Sequence, residues 1–163
     1  MDGVVSAIAN KQARPVSADF TAFYRAEAPG QIRRAALLTG SDEAANDVVH
    51  DALAAMYRRW ADIAEPGPYL NRAVLNGCRD RGRRTAVHRR LVDRLRSGRT
   101  DDAERDVLTD VLGRLPFNQR AAVVLRYYAG CTTAEIAEAL DCPPGSVGPW
   151  IDRALRRLRE ELS

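Results

Sequence analysis

The sequence predicts an all-α protein: two small helical units joined by a linker, the second ending in a helix-turn-helix. Three observations carry this. Apolar residues recur at three- and four-residue spacing with no strand-type alternation. Ser, Thr, Pro and Gly punctuate those runs where helices start and stop. A strongly basic stretch meets an acidic one between the two groups of runs. With 163 residues, 45% hydrophobic and 29% charged, the chain can bury one good core or two small ones.

Residues 1–17 are small and mixed, with Pro15 among them, and read as a flexible tail. The first unit is expected over 18–85. Ser17 is a candidate N-cap for a helix carrying Phe20, Phe23 and Tyr24. Pro29 and Gly30 predict an interruption, and a second run follows to Gly40. Ser41 or Asp42 caps the next helix, in which apolar pairs at 44/45, 48/49, 52/53 and 56/57 mark one buried stripe. After "ADIAEPGP" a further helix is expected from Tyr69 to about Arg84, stacking Leu70, Ala73, Val74 and Gly77 inward.

The pattern weakens from Thr85 to Thr100, which places a linker over 86–104 with flanks that can be helical. The second unit, 105–163, reads as four helices: "DVLTDVLGRLP", "NQRAAVVLRYYAG", "TTAEIAEAL" and the terminal "GSVGPWIDRALRRLREEL". Thr132 and Glu135 form the S/T-x-x-E capping box. Pro143, Pro144 and Gly145 enforce the turn that follows.

Charge is placed unevenly. The net charge is only +3, but 24 of the 25 basic residues are Arg, Lys11 being the exception. Arg suits bidentate contacts to phosphate and guanine, although GC-rich coding would produce the same bias. From Arg72 to Arg99 ten arginines stand against two acids, a local net of +8; from Thr100 to Leu112 five acids stand against one arginine, a net of −4. Coding bias alone does not segregate charge in this way. Cys78, Cys131 and Cys142 form no CxxC pair, and with two histidines no metal spacing arises, so no metal or cofactor is expected. The cysteines read as packing residues in a reducing compartment. No run is long enough to span a bilayer and "MDGVVSAIANKQARP" lacks a signal pattern, which predicts a cytoplasmic protein with no membrane insertion.

On the terminal helix, Val147, Ile151, Ala154, Leu155, Leu158 and Leu162 share one stripe. Pro149, Asp152, Arg153 and Arg156 lie opposite, flanked by Arg157 and Arg159. That face either contacts DNA phosphates or is merely solvated.

The segment "LPFNQRAAVVLRYYAGCTTAEIAEALDCPPGSVGPWIDRALRRLR" resembles region 4 of the extracytoplasmic-function (ECF) sigma factors, specificity subunits of bacterial RNA polymerase. The Leu-Pro start, the "QR" pair, "LRYY-x-G", "AEIAE-x-L", "GSV" and "RAL" carry the match. "LLTGSDEAANDVVHDALAAMYRRW" with "PYLNRAVLNGCRDRGRR" is similar to sigma region 2. The likeness is greatest to the actinobacterial sigma-E-like branch, and it leaves the linker unmatched.

The resemblance implies roles. Asp47, His50 and Asp51, otherwise a solvated helix face, would bind the clamp helices of the polymerase beta-prime subunit, with the second unit meeting the beta flap. Tyr69, with the loop Ala61 to Pro68, would receive a base flipped from the minus-10 nontemplate strand. Arg72, Asn76, Arg79, Arg83 and Arg84 would hold that strand. Asn76 reads equally as a structural amide, and Trp60 as core. Ser146, Trp150, Asp152, Arg153, Arg156 and Arg157 fall on the minus-35 helix. An anti-sigma factor is an implied partner.

Where the family has Lys or Arg, then Ser, then Arg, this chain has Gly148, Pro149 and Trp150, which predicts weak or atypical minus-35 reading. Either Ser146 caps the helix and Pro149 falls at N3, or Gly148 caps it and the helix starts late at Pro149. Three functions compete: a sigma factor, a polymerase-independent helix-turn-helix regulator, and an interaction module that docks on polymerase or an anti-sigma factor without normal promoter reading. No constellation of catalytic residues assembles, so an enzyme is not expected.

Overall fold

The computed structural model describes the backbone of residues 16–95 and 107–163 and the side chains of 18–84 and 107–163. The expected tail (1–17) lies outside this range except for Val16 and Ser17. The expected linker (86–104) lies outside it beyond Leu95.

Seven helices and no strand occur among the described residues. The first unit contains α1 (Val16–Thr39), α2 (Asp42–Arg58) and α3 (Pro66–Leu95). The second contains α4 (Val107–Gly113), α5 (Phe117–Val123) with a π-helical turn (Val124–Tyr128), α6 (Thr133–Leu140) and α7 (Val147–Leu162).

α2 starts where Ser41, in extended conformation, accepts from the Ala44 N–H through its side chain. Its expected stripe is buried at Ala45, Val48, Val49, Leu53 and Met56, while Tyr57 is exposed. α1 is continuous, contrary to the expected break at Pro29 and Gly30. Proline removes one backbone donor, but Pro29 is exposed, where water can satisfy the freed carbonyl. Packing on both sides of it then carries the helix through. Ahead of Pro29, Phe20 meets the Trp60 ring edge-on at 5.3 Å, and Phe23 lies 5.2 Å from it. Beyond Pro29, Ala35 and Leu38 are buried. Trp60 thus belongs to the packing of the unit, as expected.

α3 starts at Pro66, earlier than expected, and continues past Arg84 to Leu95. It buries Leu70, Val74, Leu75 and Cys78. Gly77 lets α3 approach α2 closely, since a Cβ there would sit 2.7 Å from Val48 Cγ1. Gly77→Val is therefore expected to cost about 1–3 kcal/mol through overpacking. A urea titration of the full chain checks this, and an unchanged midpoint would show that the helices separate freely there.

The second unit follows its expected plan. Thr132 accepts from the Glu135 N–H while the Glu135 carboxylate accepts from the Thr132 N–H. Asp141 closes α6 in the left-handed region at φ 50°, which Asn and Asp tolerate better than most residues. One 3₁₀ turn, Pro144–Ser146, then leads directly into α7. Of the two starts considered, the helix adopts the one with Ser146 at the N-cap and Pro149 in the first turn. The Ser146 side chain makes no capping bond. Val147, Ile151 and Ala154 are buried and Leu155 and Leu158 half-buried, but Leu162 is 58% exposed, so the stripe ends before it.

The buried residues of both units form one cluster. α1 and α3 contact the second unit directly, α3 through α6 and α1 through α4, α5 and the π turn.

Candidate nucleic-acid interface

Positions 69, 72, 76, 79 and 83 follow helical spacing, so Tyr69, Arg72, Asn76, Arg79 and Arg83 share one face of α3. Tyr69 is half-buried at the head of this stripe. Arg72 is exposed and pairs with Glu138 of α6 at 3.5 Å. Asn76 is exposed, and the structural amide is instead Asn71, whose Oδ1 accepts from the buried Gln31 side chain at 2.5 Å. Arg79 donates to Asn118 Oδ1 at 3.1 Å, and its guanidinium lies 5.1 Å from the centre of the Phe117 ring. Arg83 and Arg84 are exposed at the side-chain level. Ala61 and Asp62 lie in a 3₁₀ turn begun by Trp60, so only a short stretch separates that turn from α3.

Asp47, His50 and Asp51 are exposed on α2. Asp47 accepts from Arg81 at 3.0 Å. His50 Nδ1 lies 2.7 Å from the Asn46 carbonyl, which can only accept, so this nitrogen carries the proton. In the neutral ring Nε2 then accepts from the Tyr24 hydroxyl, also at 2.7 Å. The imidazole is held from both sides, and Tyr24 has no role in the sequence motif.

On α7, Asp152, Arg153, Arg156 and Arg157 are exposed. Among the described residues no hydrogen bond or ion pair engages the three arginines. Ser146 and Trp150 are half-buried. Trp150 borders the buried stripe and lines a cleft of about 470 Å³ between the units, together with Arg79, Gly82, Arg83, Phe117 and Arg120. A second cleft, about 610 Å³, lies between Arg72 of α3 and the α6 to α7 turn.

Arg120 is the residue whose importance the sequence does not show. One terminal nitrogen donates to the Leu38 carbonyl at the end of α1, 2.5 Å away. The other donates to the Leu115 and Gly113 carbonyls at 2.9 and 3.3 Å. At Leu38 and Gly113, in the last turns of α1 and α4, this cation satisfies acceptors with no intrahelical partner and complements the helix dipole, while Leu115 lies in the loop before α5. Burial lowers the Arg120 pKa, and the neighbouring Cys78 opposes that shift. Burial pushes the Cys78 thiol up to about 12, partly offset by Arg120. Cys131 and Cys142 are also raised, by burial first and then by Glu135 and Asp141 respectively. All three cysteines are free. As thiols at neutral pH they suit packing better than nucleophilic chemistry. Among the described residues no group of three His, Cys, Asp or Glu gathers, and no helix is long and apolar enough to cross a membrane.

A helical bundle with a helix-turn-helix and two arginine-bearing faces defines the class of nucleic-acid-binding proteins. Comparison with known proteins narrows it. Residues 105–158 match the family model "Sigma-70, region 4". The RNA polymerase sigma-E factor of Streptomyces avermitilis is 33% identical over 152 residues, covering 88% of this chain and 85% of that protein. That of Streptomyces coelicolor is 34% identical, with 88% and 86% covered. The ECF RNA polymerase sigma factor SigM of Mycobacterium tuberculosis is 35% identical over 140 residues, covering 81% and 71%. The chain belongs to the ECF sigma factors. Two solved structures share its fold. The sigma factor RpoE in complex with the anti-sigma factor NepR, from Bartonella quintana, superposes with a TM-score of 0.71 at 21% identity, covering 88% of this chain and 96% of that one. CnrH in complex with the cytosolic domain of CnrY gives 0.65 at 22%, covering 88% and 86%.

Proposed function

We propose that this sigma factor docks on core RNA polymerase through Asp47, His50 and Asp51, holds the melted minus-10 strand on α3, and contacts minus-35 duplex with α7. It performs no chemistry itself and works in the cytoplasm. The observation that carries the reading is the single stripe on α3: a half-buried ring at Tyr69, then Arg72, Asn76, Arg79 and Arg83, with Arg84 beside it. A ring to receive an unstacked base and cations along the backbone are what strand holding requires. Residues 18–85 and 105–163 act as the two working units, with 86–104 between them.

On α7 the exposed arginines, Arg153, Arg156 and Arg157, supply phosphate affinity, and Asp152 can accept from a cytosine amine. Ser146 and Trp150, half-buried, contribute shape there. Gly148 and Pro149 are exposed and bring no cation to the tip, which supports weak minus-35 reading. Gly148→Lys with Pro149→Ser, leaving Trp150 in place, is expected to tighten binding to a minus-35 duplex by about tenfold. Fluorescence anisotropy on a promoter that the chain transcribes measures it, and unchanged affinity and sequence preference would remove the idea that this tip limits recognition. The beta flap and an anti-sigma factor are proposed partners of the second unit and the whole chain.

The docking part is tested by gel filtration with purified core polymerase. A stable complex, weakened by Asp47→Ala with Asp51→Ala, is the expected result. Absence of a complex would leave a polymerase-independent regulator. The interaction-module reading draws support from the engagement of Arg72 and Arg79 by the second unit, and a complex without promoter-dependent transcripts would favour it.

A further inference from the structure

We propose that Tyr24 and His50 work as one group in the docking patch: His50 orients and polarises the Tyr24 hydroxyl, and the Tyr24 oxygen accepts from an arginine of core polymerase. The proposal rests on the docking reading and changes which atom meets the partner. His50 is exposed on α2, yet both of its ring nitrogens are committed within the chain. Nδ1 donates to the Asn46 carbonyl and Nε2 accepts from the Tyr24 hydroxyl, each at 2.7 Å. The imidazole therefore has no nitrogen left for a partner. The hydroxyl has committed its proton but keeps acceptor capacity, so the pair presents an oxygen acceptor at the surface. The direction of the relay strengthens that acceptor. The Asn46 carbonyl draws on the Nδ1 proton, the ring becomes a better acceptor at Nε2, and the hydroxyl oxygen becomes more negative in turn.

Packing fixes the place of this oxygen. The Tyr24 ring lies 6.0 Å from the imidazole and 6.4 Å from Phe20, and Phe20 is held against Tyr57 and Trp60 at 5.1 and 5.3 Å. A half-buried ring with a polar tip, already ordered by its neighbours, is the kind of side chain that anchors interfaces. The surrounding charge selects a cationic partner. Over the first ten residues of α2, Asp42, Glu43, Asp47 and Asp51 are exposed and no Lys or Arg intervenes. Asp47 already accepts from the Arg81 guanidinium at 3.0 Å, so the face accommodates the group that the partner would bring. Tyr24 extends this acceptor surface from α2 onto α1.

The test measures the affinity of the full chain for purified core polymerase. Tyr24→Phe keeps the ring packing and is expected to weaken binding by about fivefold. His50→Phe is expected to weaken it as much, because the released hydroxyl can turn its proton toward the partner. In the Tyr24→Phe background, His50→Phe is expected to cost no more than about twofold further. His50→Gln, whose amide oxygen can stand in for Nε2, is expected to stay within about twofold of wild type. These last two arms separate orientation of the hydroxyl from packing. Nitrogen NMR of the wild-type imidazole at about pH 8, where an ordinary histidine is neutral, is expected to show the proton on Nδ1. His50→Gln distinguishes the signal from that of His88, the other histidine of the chain. Full affinity in Tyr24→Phe, additive losses in the double variant, a loss in His50→Gln as large as in His50→Phe, or a proton on Nε2 would each overturn the proposal. Failure of the docking reading has a different signature: Asp47→Ala with Asp51→Ala would leave the affinity unchanged while the Nδ1 proton was still observed.

Discussion

Arg120→Met is expected to lower the free energy of unfolding by about 2–4 kcal/mol. Methionine keeps most of the side-chain volume but removes the donors that reach the Leu38, Gly113 and Leu115 carbonyls. Charge-assisted bonds of this kind are among the stronger polar contacts, and loss of the donor strands three acceptors, two of them at the ends of α1 and α4. The substitution also breaks a tie between α1 and the second unit, so the damage is not confined to one half of the chain. The two tryptophans, Trp60 and Trp150, lie one in each unit and report on them separately by fluorescence. A urea titration in which both signals shift to lower denaturant is the expected outcome. A loss below about 1 kcal/mol would mean that these carbonyls do not depend on Arg120.

The second large effect concerns strand opening. Arg83→Ala with Arg84→Ala is expected to slow open-complex formation by about tenfold at moderate salt, because two cations near the displaced strand are lost. If both contact phosphates of a single strand, the slope of log affinity against log salt also falls by about 1.4. These arginines are exposed on α3, so their removal leaves the packed core untouched. Stopped-flow detection of promoter melting checks the rate. An unchanged rate and slope would mean that the basic end of α3 lies off the strand's path.

The helical elements were legible because their signals are local. The apolar stripe of α2, the Ser41 cap, the Thr132 and Glu135 capping box and the Pro-Gly turn before α7 each depend on neighbours within a few residues, and each is observed. Pro29 misled because proline's local cost was overridden by packing on either side of it, which only the assembled unit displays. Leu162 fits the stripe by periodicity, yet it is exposed, with no element covering its side chain among the described residues. The stripe on α3 was readable from spacing, but its engagement by Glu138, Asn118 and Phe117 was not. Those partners are 66, 39 and 38 positions away in the chain. Arg120 shows the same limit: its "QR" motif was visible, while its acceptors are backbone carbonyls that carry no sequence signal. Gly77 did leave a clue, since a glycine within a helical run calls for a close approach, here to Val48.

The most direct measurement is in vitro transcription from a fragmented genomic library, with core polymerase alone and with this chain added, mapping transcript starts by sequencing. Discrete starts that appear only with the chain, and that share an upstream minus-10-like element more strongly than a minus-35-like one, are the predicted result. Start sites identical to those of core polymerase alone would contradict the account.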